Sequence, residues 1–198
     1  ENWRNFTYAD VHLSQRVFLV GPNASGKSNF LDVFRFLHDI VSVGGGLEEA
    51  VRKRQGVSKL RALAARQFPD IVIAVDLGGS NGERWEYELA LGSDKQQRPE
   101  IRREAVSRNG ERLFLRPDDS DNSDPERLTQ TYLQQVNVNK EFRPVADAFS
   151  SIRYLHIVPQ LIREPDRSVG RTNDPYGGDF LEQVAATREQ TLRARLRT

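Results

Sequence analysis

The chain contains no cysteine and no methionine among its 198 residues. Without cysteine it has no disulfide framework, no thiol nucleophile and no thiolate-held metal, a composition that fits a cytoplasmic protein. No apolar run approaches the ~18 residues that would span a bilayer, and no signal-peptide pattern opens the sequence, so no membrane role is expected. Charge of one sign is lacking too. With 29 basic and 28 acidic residues the formal net charge is +1, so only local clustering of charge, not the global field, can point to a polyanionic partner. The chain starts Glu1-Asn-Trp, has no initiator, and stops at Arg197-Thr198 inside a helical pattern. It reads as a piece of a longer chain. Its length still suffices to bury a real core as one domain with an appended subdomain.

What is present is concentrated in Arg16-Val-Phe-Leu-Val-Gly-Pro-Asn-Ala-Ser-Gly-Lys-Ser-Asn29. Gly21, Gly26, Lys27 and Ser28 match every fixed position of G-x-x-x-x-G-K-[ST], the loop that cradles phosphates. Val17 to Val20 read as a buried parallel strand and Phe30 to Val41 as a helix, which is the strand–loop–helix setting that the loop requires. A loop of this length wraps a polyphosphate with backbone N–H groups, here those of about Asn23, Ala24, Ser25, Gly26, Lys27 and Ser28, at a helix N-terminus. Lys27 is the candidate catalytic residue, a point charge for the β- and γ-phosphates, and the Ser28 hydroxyl is a candidate Mg²⁺ ligand. With Asn29 these residues form the candidate nucleotide site. The expected ligand is a nucleoside triphosphate with Mg²⁺, on an α/β P-loop NTPase core.

Along the chain, residues 3–13 alternate loosely and suggest a strand or hairpin beside the loop strand. Phe30, Phe34, Leu37 and Val41 fall at helical spacing, and Gly44-Gly-Gly46 ends that helix. Two short helices follow, Leu47–Arg54 and Lys59–Arg66, the second capped by Ser58. Then the period changes. Ile71, Ile73, Val75 and Leu77 alternate, as do Trp85, Tyr87, Leu89 and Leu91, with a glycine-rich loop at 78–82 between them. Strands near Ile101–Ser107 and Arg112–Arg116 flank Asn109-Gly110, a strong hairpin signal. This is an antiparallel sheet of about four strands inserted after the first α/β unit. Asp118–Asp124 reads as a polar loop, Pro125–Asn137 and Glu141–Phe149 as helices, and Ile152–Pro159 as a strand returning to the central sheet. Asp179 caps a helix to Ala186, and Thr187 with Gln190 opens another. The division is 1–68 for the first part of the P-loop lobe, 69–117 for the antiparallel insertion and 118–198 for the rest of the head.

The wording Gly21-Pro-Asn-Ala-Ser-Gly-Lys-Ser-Asn29, with Asn23 and Asn29 as its telling residues, resembles the ABC-type ATPase heads of the SMC, RecF and OLD group. So do Arg4-Asn-Phe6 before it and Phe30 to Leu37 after it, while the antiparallel block and Asp174–Leu181 resemble bacterial AAA-type ATPases of the same broad group. The resemblance implies the N-terminal lobe of such a head, an ABC-ATPase-like core incomplete at its C-terminus, binding ATP and Mg²⁺. It implies hydrolysis across a head–head homodimer or higher oligomer, in DNA maintenance or defence against phage, with DNA or an effector protein as partner. The family's signature motif and its Asp-Glu Walker B are not found in this sequence and are expected beyond Thr198, so the isolated chain is expected to hydrolyse ATP weakly or not at all. Gln160 stands where such heads carry a glutamine loop that touches Mg²⁺; an ordinary loop glutamine is the competing reading. Arg4 and Asn5 stand where the same likeness would bring them to the nucleotide base, or else on a surface strand.

Several patterns compete for attention. Ile71-Val-Ile-Ala-Val-Asp76 mimics a Walker B strand, but Leu77 follows where an acid belongs, so it reads as a sheet strand. Asp76-Leu-Gly-Gly79 fits a GTPase motif, yet Asn139-Lys-Glu-Phe142 lacks the final Asp of the guanine-specifying one. Arg52, Lys53, Arg54, Lys59, Arg61 and Arg66 form a basic segment that meets either DNA phosphates or solvent. His12, His38 and His156 lack ligand spacing, and Asp118–Asp124 lacks the glycine and terminal Glu of a calcium loop. Two rivals stay beside the ATPase reading: an assembly or scaffold subunit that holds ATP without turnover, and a small P-loop kinase or GTPase.

Overall fold

The computed structural model describes residues 1–65, 70–79 and 82–155, with Gln160 and Ala185 as single residues beyond them. The chain divides into two compact units, 1–152 and 153–198. Of the second unit, 153–155 carry no regular structure, while Gln160 and Ala185 are helical. The remainder of the expected return strand, the helix expected from Asp179 apart from Ala185, and the helix starting at Thr187 lie outside the described residues.

In the first unit, helix α1 spans Lys27–Val41, α2 Leu47–Arg52 and α3 Val57–Leu60. An antiparallel meander follows, β1 Ile71–Gly78, β2 Arg84–Ser93, β3 Pro99–Arg108 and β4 Glu111–Arg116, in the order β1-β2-β3-β4. The chain closes through α4 (Asp119–Ser123), two 3₁₀ turns at Pro125–Thr129 and Asn139–Phe142, and α5 (Arg143–Ser150).

The sheet follows its period-2 pattern. Ile71 pairs with Leu91, Ile73 with Leu89, Val75 with Tyr87 and Leu77 with Trp85, so one face of β1 and β2 is apolar. Asn109 and Gly110 both take positive φ, 52° and 83°, the backbone that a two-residue hairpin matched to strand twist demands. That face packs on the helices in a single cluster with Trp3, Phe36, Leu37, Ile40, Leu47, Leu60, Val145 and Phe149.

Several expectations are corrected. Val17–Val20 form no strand and are not buried: Phe18 is 87% and Val20 92% exposed. A strand needs a neighbour to take its backbone groups, and among the described residues none pairs with 17–20. Residues 3–13 yield only a tight turn, with Trp3 bridging Phe6 and Arg61. The buried face of α1 runs through Phe36, Leu37, Asp39 and Ile40, not Phe30, Phe34 and Val41, because α2 and α5 cover it from that side. Asp118 caps α4 with a reciprocal capping box, turning the expected polar loop helical. Pro125–Asn137 makes only a 3₁₀ turn and tight turns.

β3 holds a charge that the alternation hides. Glu104 lies opposite Leu89 and Arg116 on the apolar face, and both charged residues are fully buried. The Arg116 guanidinium donates to Glu104 at 3.1 Å, to Asp121 at 2.8 and 2.9 Å, and to the Arg127 and Gln130 carbonyls at 2.8 Å each. Glu104 also accepts the Tyr132 N–H at 2.8 Å, so the irregular stretch after α4 is fastened to the sheet by a polar hub.

Candidate phosphate-binding site

Gly26 sits at the N-cap of α1 with φ 96°, and Ala24, two residues earlier, has φ 62°. Left-handed residues on either side of Ser25 turn the backbone sharply into α1, and the Ser25 N–H closes the turn on the Pro22 carbonyl at 3.4 Å. The helix start is bare. No side chain caps it and no acid occupies its first turn. The leading N–H groups of a helix have no intrahelical partner, and the helix dipole adds a partial positive charge there.

Lys27 closes the loop from inside. Its ammonium arches back and donates to the Gly21 and Pro22 carbonyls at 2.7 Å each, with Ser25 Oγ at 3.4 Å. This places a full positive charge beside the bare N-terminus. Gly21 faces Ser25 across the loop: a Cβ there would stand 2.9 Å from Ser25 Oγ, a hydroxyl free to rotate away. Ser28 is exposed on the first turn and able to offer its hydroxyl to a cation.

Asp32, one turn on, is not available for that purpose. Its carboxylate accepts Arg54 Nη2 at 2.8 Å and Nε at 3.0 Å, and Arg4 at 3.1 Å. Arg54 is 5% exposed and also donates to Asp39 and to the Ala50 carbonyl, both at 2.8 Å. Burial pushes the Asp39 carboxyl up, but hydrogen bonds from Lys53 and Arg54 outweigh it and hold the group below its usual range. One buried guanidinium therefore ties α1 to α2.

The structure brings residues 21–28 together as the sequence indicates, but it turns Asn29 elsewhere. Its amide donates to Asn5 Oδ1 at 2.9 Å, and its carbonyl accepts Trp3 Nε1 at 2.8 Å. Asn23 and Ala24 are exposed on the loop. Gln160 is helical and exposed, but its flanking residues lie outside the described ones. Asp76 belongs to the antiparallel β1 and pairs with Arg84 at 2.8 Å, so it is no Walker B acid. Within the basic segment, Arg52 pairs with Glu49, Lys53 with Asp39, and Arg54 with Asp32 and Asp39. Lys59 is exposed and Arg61 half-buried, while Arg66 lies outside the described residues. Sequence reasoning missed Trp3 and Arg54 at this site, since their partners stand 26 and 22 residues away.

A bare helix start, a glycine-floored loop and an inward lysine are the marks of a P-loop. A family model described as "AAA domain, putative AbiEii toxin, Type IV TA system" matches residues 16–183. The chain belongs to this AAA-type P-loop ATPase family. No curated protein and no solved structure matches the chain significantly. The matched residues include the loop, α1 to α5 and the antiparallel sheet. No described helix is long and apolar enough to cross a membrane.

Proposed function

We propose that the chain binds ATP·Mg²⁺ through residues 21–28, as the nucleotide-holding half of an ATPase site. The observation that carries this is the uncapped, acid-free start of α1 with Lys27 folded over it. The N–H groups of Gly26, Lys27 and Ser28 meet the phosphates, the Lys27 ammonium leaves the Gly21 and Pro22 carbonyls for phosphate oxygens, and Ser28 holds Mg²⁺. The metal would neutralise charge building on the β- and γ-phosphates. Titration of the full chain with a fluorescent ATP analogue and Mg²⁺ tests the reading. A charge-assisted hydrogen bond is worth about 1.5–3 kcal/mol, so Lys27→Ala should weaken binding by about tenfold to a hundredfold. Equal affinity in both proteins refutes it, and GTP competing as well as ATP would favour the GTPase rival.

In this reading hydrolysis is shared between two heads. Both oxygens of Asp32, the nearest acid on α1, are committed to arginines, and no acid occupies the helix's first turn. In an SMC/RecF/OLD-like arrangement the water-activating acid is a Walker B carboxylate of the same head, and a second head completes the site with its signature motif. Specific ATPase activity of the full protein should then rise with protein concentration. Activity proportional to enzyme at every concentration refutes the shared site, and no Lys27-dependent turnover at any concentration favours the scaffold reading. For the partner we favour an effector protein over DNA. Three cations of the basic segment are spent on internal pairs, and the family's description names a toxin of a toxin–antitoxin system. Tight DNA binding with a steep salt dependence would reverse that choice.

A further inference from the structure

The start of α1 has two opposing requirements. Its N–H groups must stay unpaired to meet phosphate, yet a helix start without a cap frays. Whatever steadies this turn must therefore do so without consuming donors. The N-terminal turn does this. Trp3 Nε1 donates to the Asn29 carbonyl at 2.8 Å, Asn5 Oδ1 accepts the Asn29 side-chain amide at 2.9 Å, and the Asn5 amide and Phe6 ring lie against the Cα of Gly26. A Cβ on Gly26 would come within 2.6 Å of Asn5 Nδ2 and 2.8 Å of Phe6 Cζ, so both side chains sit directly against the loop-to-helix junction. Every one of these contacts uses a carbonyl, a side chain or a carbon face, and none takes a backbone N–H of residues 26–28.

The turn is itself held in place. Arg4 N–H donates to the Leu60 carbonyl, Ala62 N–H donates to the Asn2 carbonyl at 2.9 Å, and Phe6 N–H closes the turn on the Trp3 carbonyl at 2.7 Å. Asn2 and Arg4 take left-handed φ of 55° and 54°, and non-glycine residues keep such a backbone only where their surroundings over-determine it. Arg4 reaches α1 a second time through Asp32.

We propose that Asn5 is a positioning residue of the phosphate loop, acting through Asn29 and Gly26 in place of a helix cap. This inference rests on the nucleotide-binding reading of residues 21–28. Asn5 touches no reacting atom in this role: it holds the first turn of α1 so that the N–H groups of Gly26, Lys27 and Ser28 converge.

The test is a double-mutant cycle in the full chain, with Kd for a fluorescent ATP analogue with Mg²⁺ measured for wild type, Asn5→Ala, Asn29→Ala and the double variant. Lys27→Ala and thermal unfolding serve as controls. One neutral hydrogen bond predicts about a twofold to tenfold weakening for each single variant. The double variant should bind no worse than the weaker single, because both changes break one unit. Asn5 is exposed, so its Tm should stay with wild type. Wild-type affinity in Asn5→Ala, additive losses, or a loss accompanied by an equal fall in stability overturns the inference while Lys27→Ala still weakens binding. If Lys27→Ala also binds like wild type, the nucleotide reading fails and this inference falls with it.

Discussion

Arg54→Met offers the sharpest test of how the site is held. Arg54 is 5% exposed and its guanidinium serves Asp32, Asp39 and the Ala50 carbonyl, with its Cζ 5.2 Å from the Phe36 ring centroid. Methionine retains much of the stem's packing but leaves two carboxylates short of a cation. Asp32 keeps only Arg4, and Asp39 only Lys53, whose side chain is half exposed. Removing one partner of a buried pair costs about 3–5 kcal/mol. For a chain of this size each kcal/mol lowers Tm by about 2–4 °C, which gives a fall of roughly 6–20 °C by differential scanning calorimetry. Arg52→Met, two residues away and in a solvent-exposed pair with Glu49, should be indistinguishable from wild type. The pH dependence is also signed. Because Asp39 lies below its ordinary 3.8, its contribution is complete above that value and drains away as pH falls further. The variant should therefore lose less stability on acidification than wild type. Equal Tm for Arg54→Met and Arg52→Met would refute the claim that this guanidinium clamps α1.

Three more predictions follow from single residues. Gly26→Ala sets a side chain at φ 96° against Asn5 and Phe6; with left-handed backbone costing about 1–2 kcal/mol, nucleotide affinity should fall about fivefold to thirtyfold while circular dichroism stays native. Gly110→Ala puts the same kind of strain, φ 83°, at a hairpin remote from the loop, so the urea midpoint should drop by an equivalent of about 1 kcal/mol with Kd unchanged. Burial pushes the Asp121 carboxyl up, but Arg116 and the Asp118 N–H outweigh it and hold it at about 2 against an ordinary 3.8. Its stabilisation is thus lost as pH falls through that window, and Asp121→Asn should flatten the acid limb of a pH–stability curve.

What was legible in the sequence is what short-range patterns encode. The meander follows from strict alternation in Ile71–Leu77 and Trp85–Leu91 plus one Asn-Gly, and the loop follows from Gly21, Gly26, Lys27 and Ser28. Less legible were features decided by distant partners. The face α1 buries is chosen by α2 and α5, which favour Phe36 and Ile40 over Phe30 and Phe34. Glu104 looks like a surface strand residue until register sets it against Arg116. The basic run at 52–54 looks like a surface for polyanions until Glu49, Asp32 and Asp39 arrive to neutralise it. In each case the residue type was visible and its partner was not.

The exposed Val17–Val20 segment and the ordered loop after it bear on where the site gets its shape. A P-loop is usually argued from its strand, with the loop springing from a buried sheet edge. Here residues 17–20 lack a strand partner among the described residues, and yet Gly26, Lys27 and Asn29 are fixed by named contacts. Lys27 is held from the loop itself, by the Gly21 and Pro22 carbonyls, while α1 is held from the helix side: Trp3 and Asn5 on the first turn, Arg4 and Arg54 on the second, Asp39 with Lys53 on the fourth. The first two turns of α1 are thus anchored by the N-terminal turn and by Arg54 after α2. Substitutions at Phe18 or Val20, whose side chains stand in solvent in this structure, should leave the junction at Gly26 intact, whereas substitutions at Trp3 should loosen it. Amide hydrogen exchange of residues 26–30 reads the difference directly. Faster exchange in Phe18→Ser than in Trp3→Phe would mean that the strand, not the helix-side anchor, sets the loop.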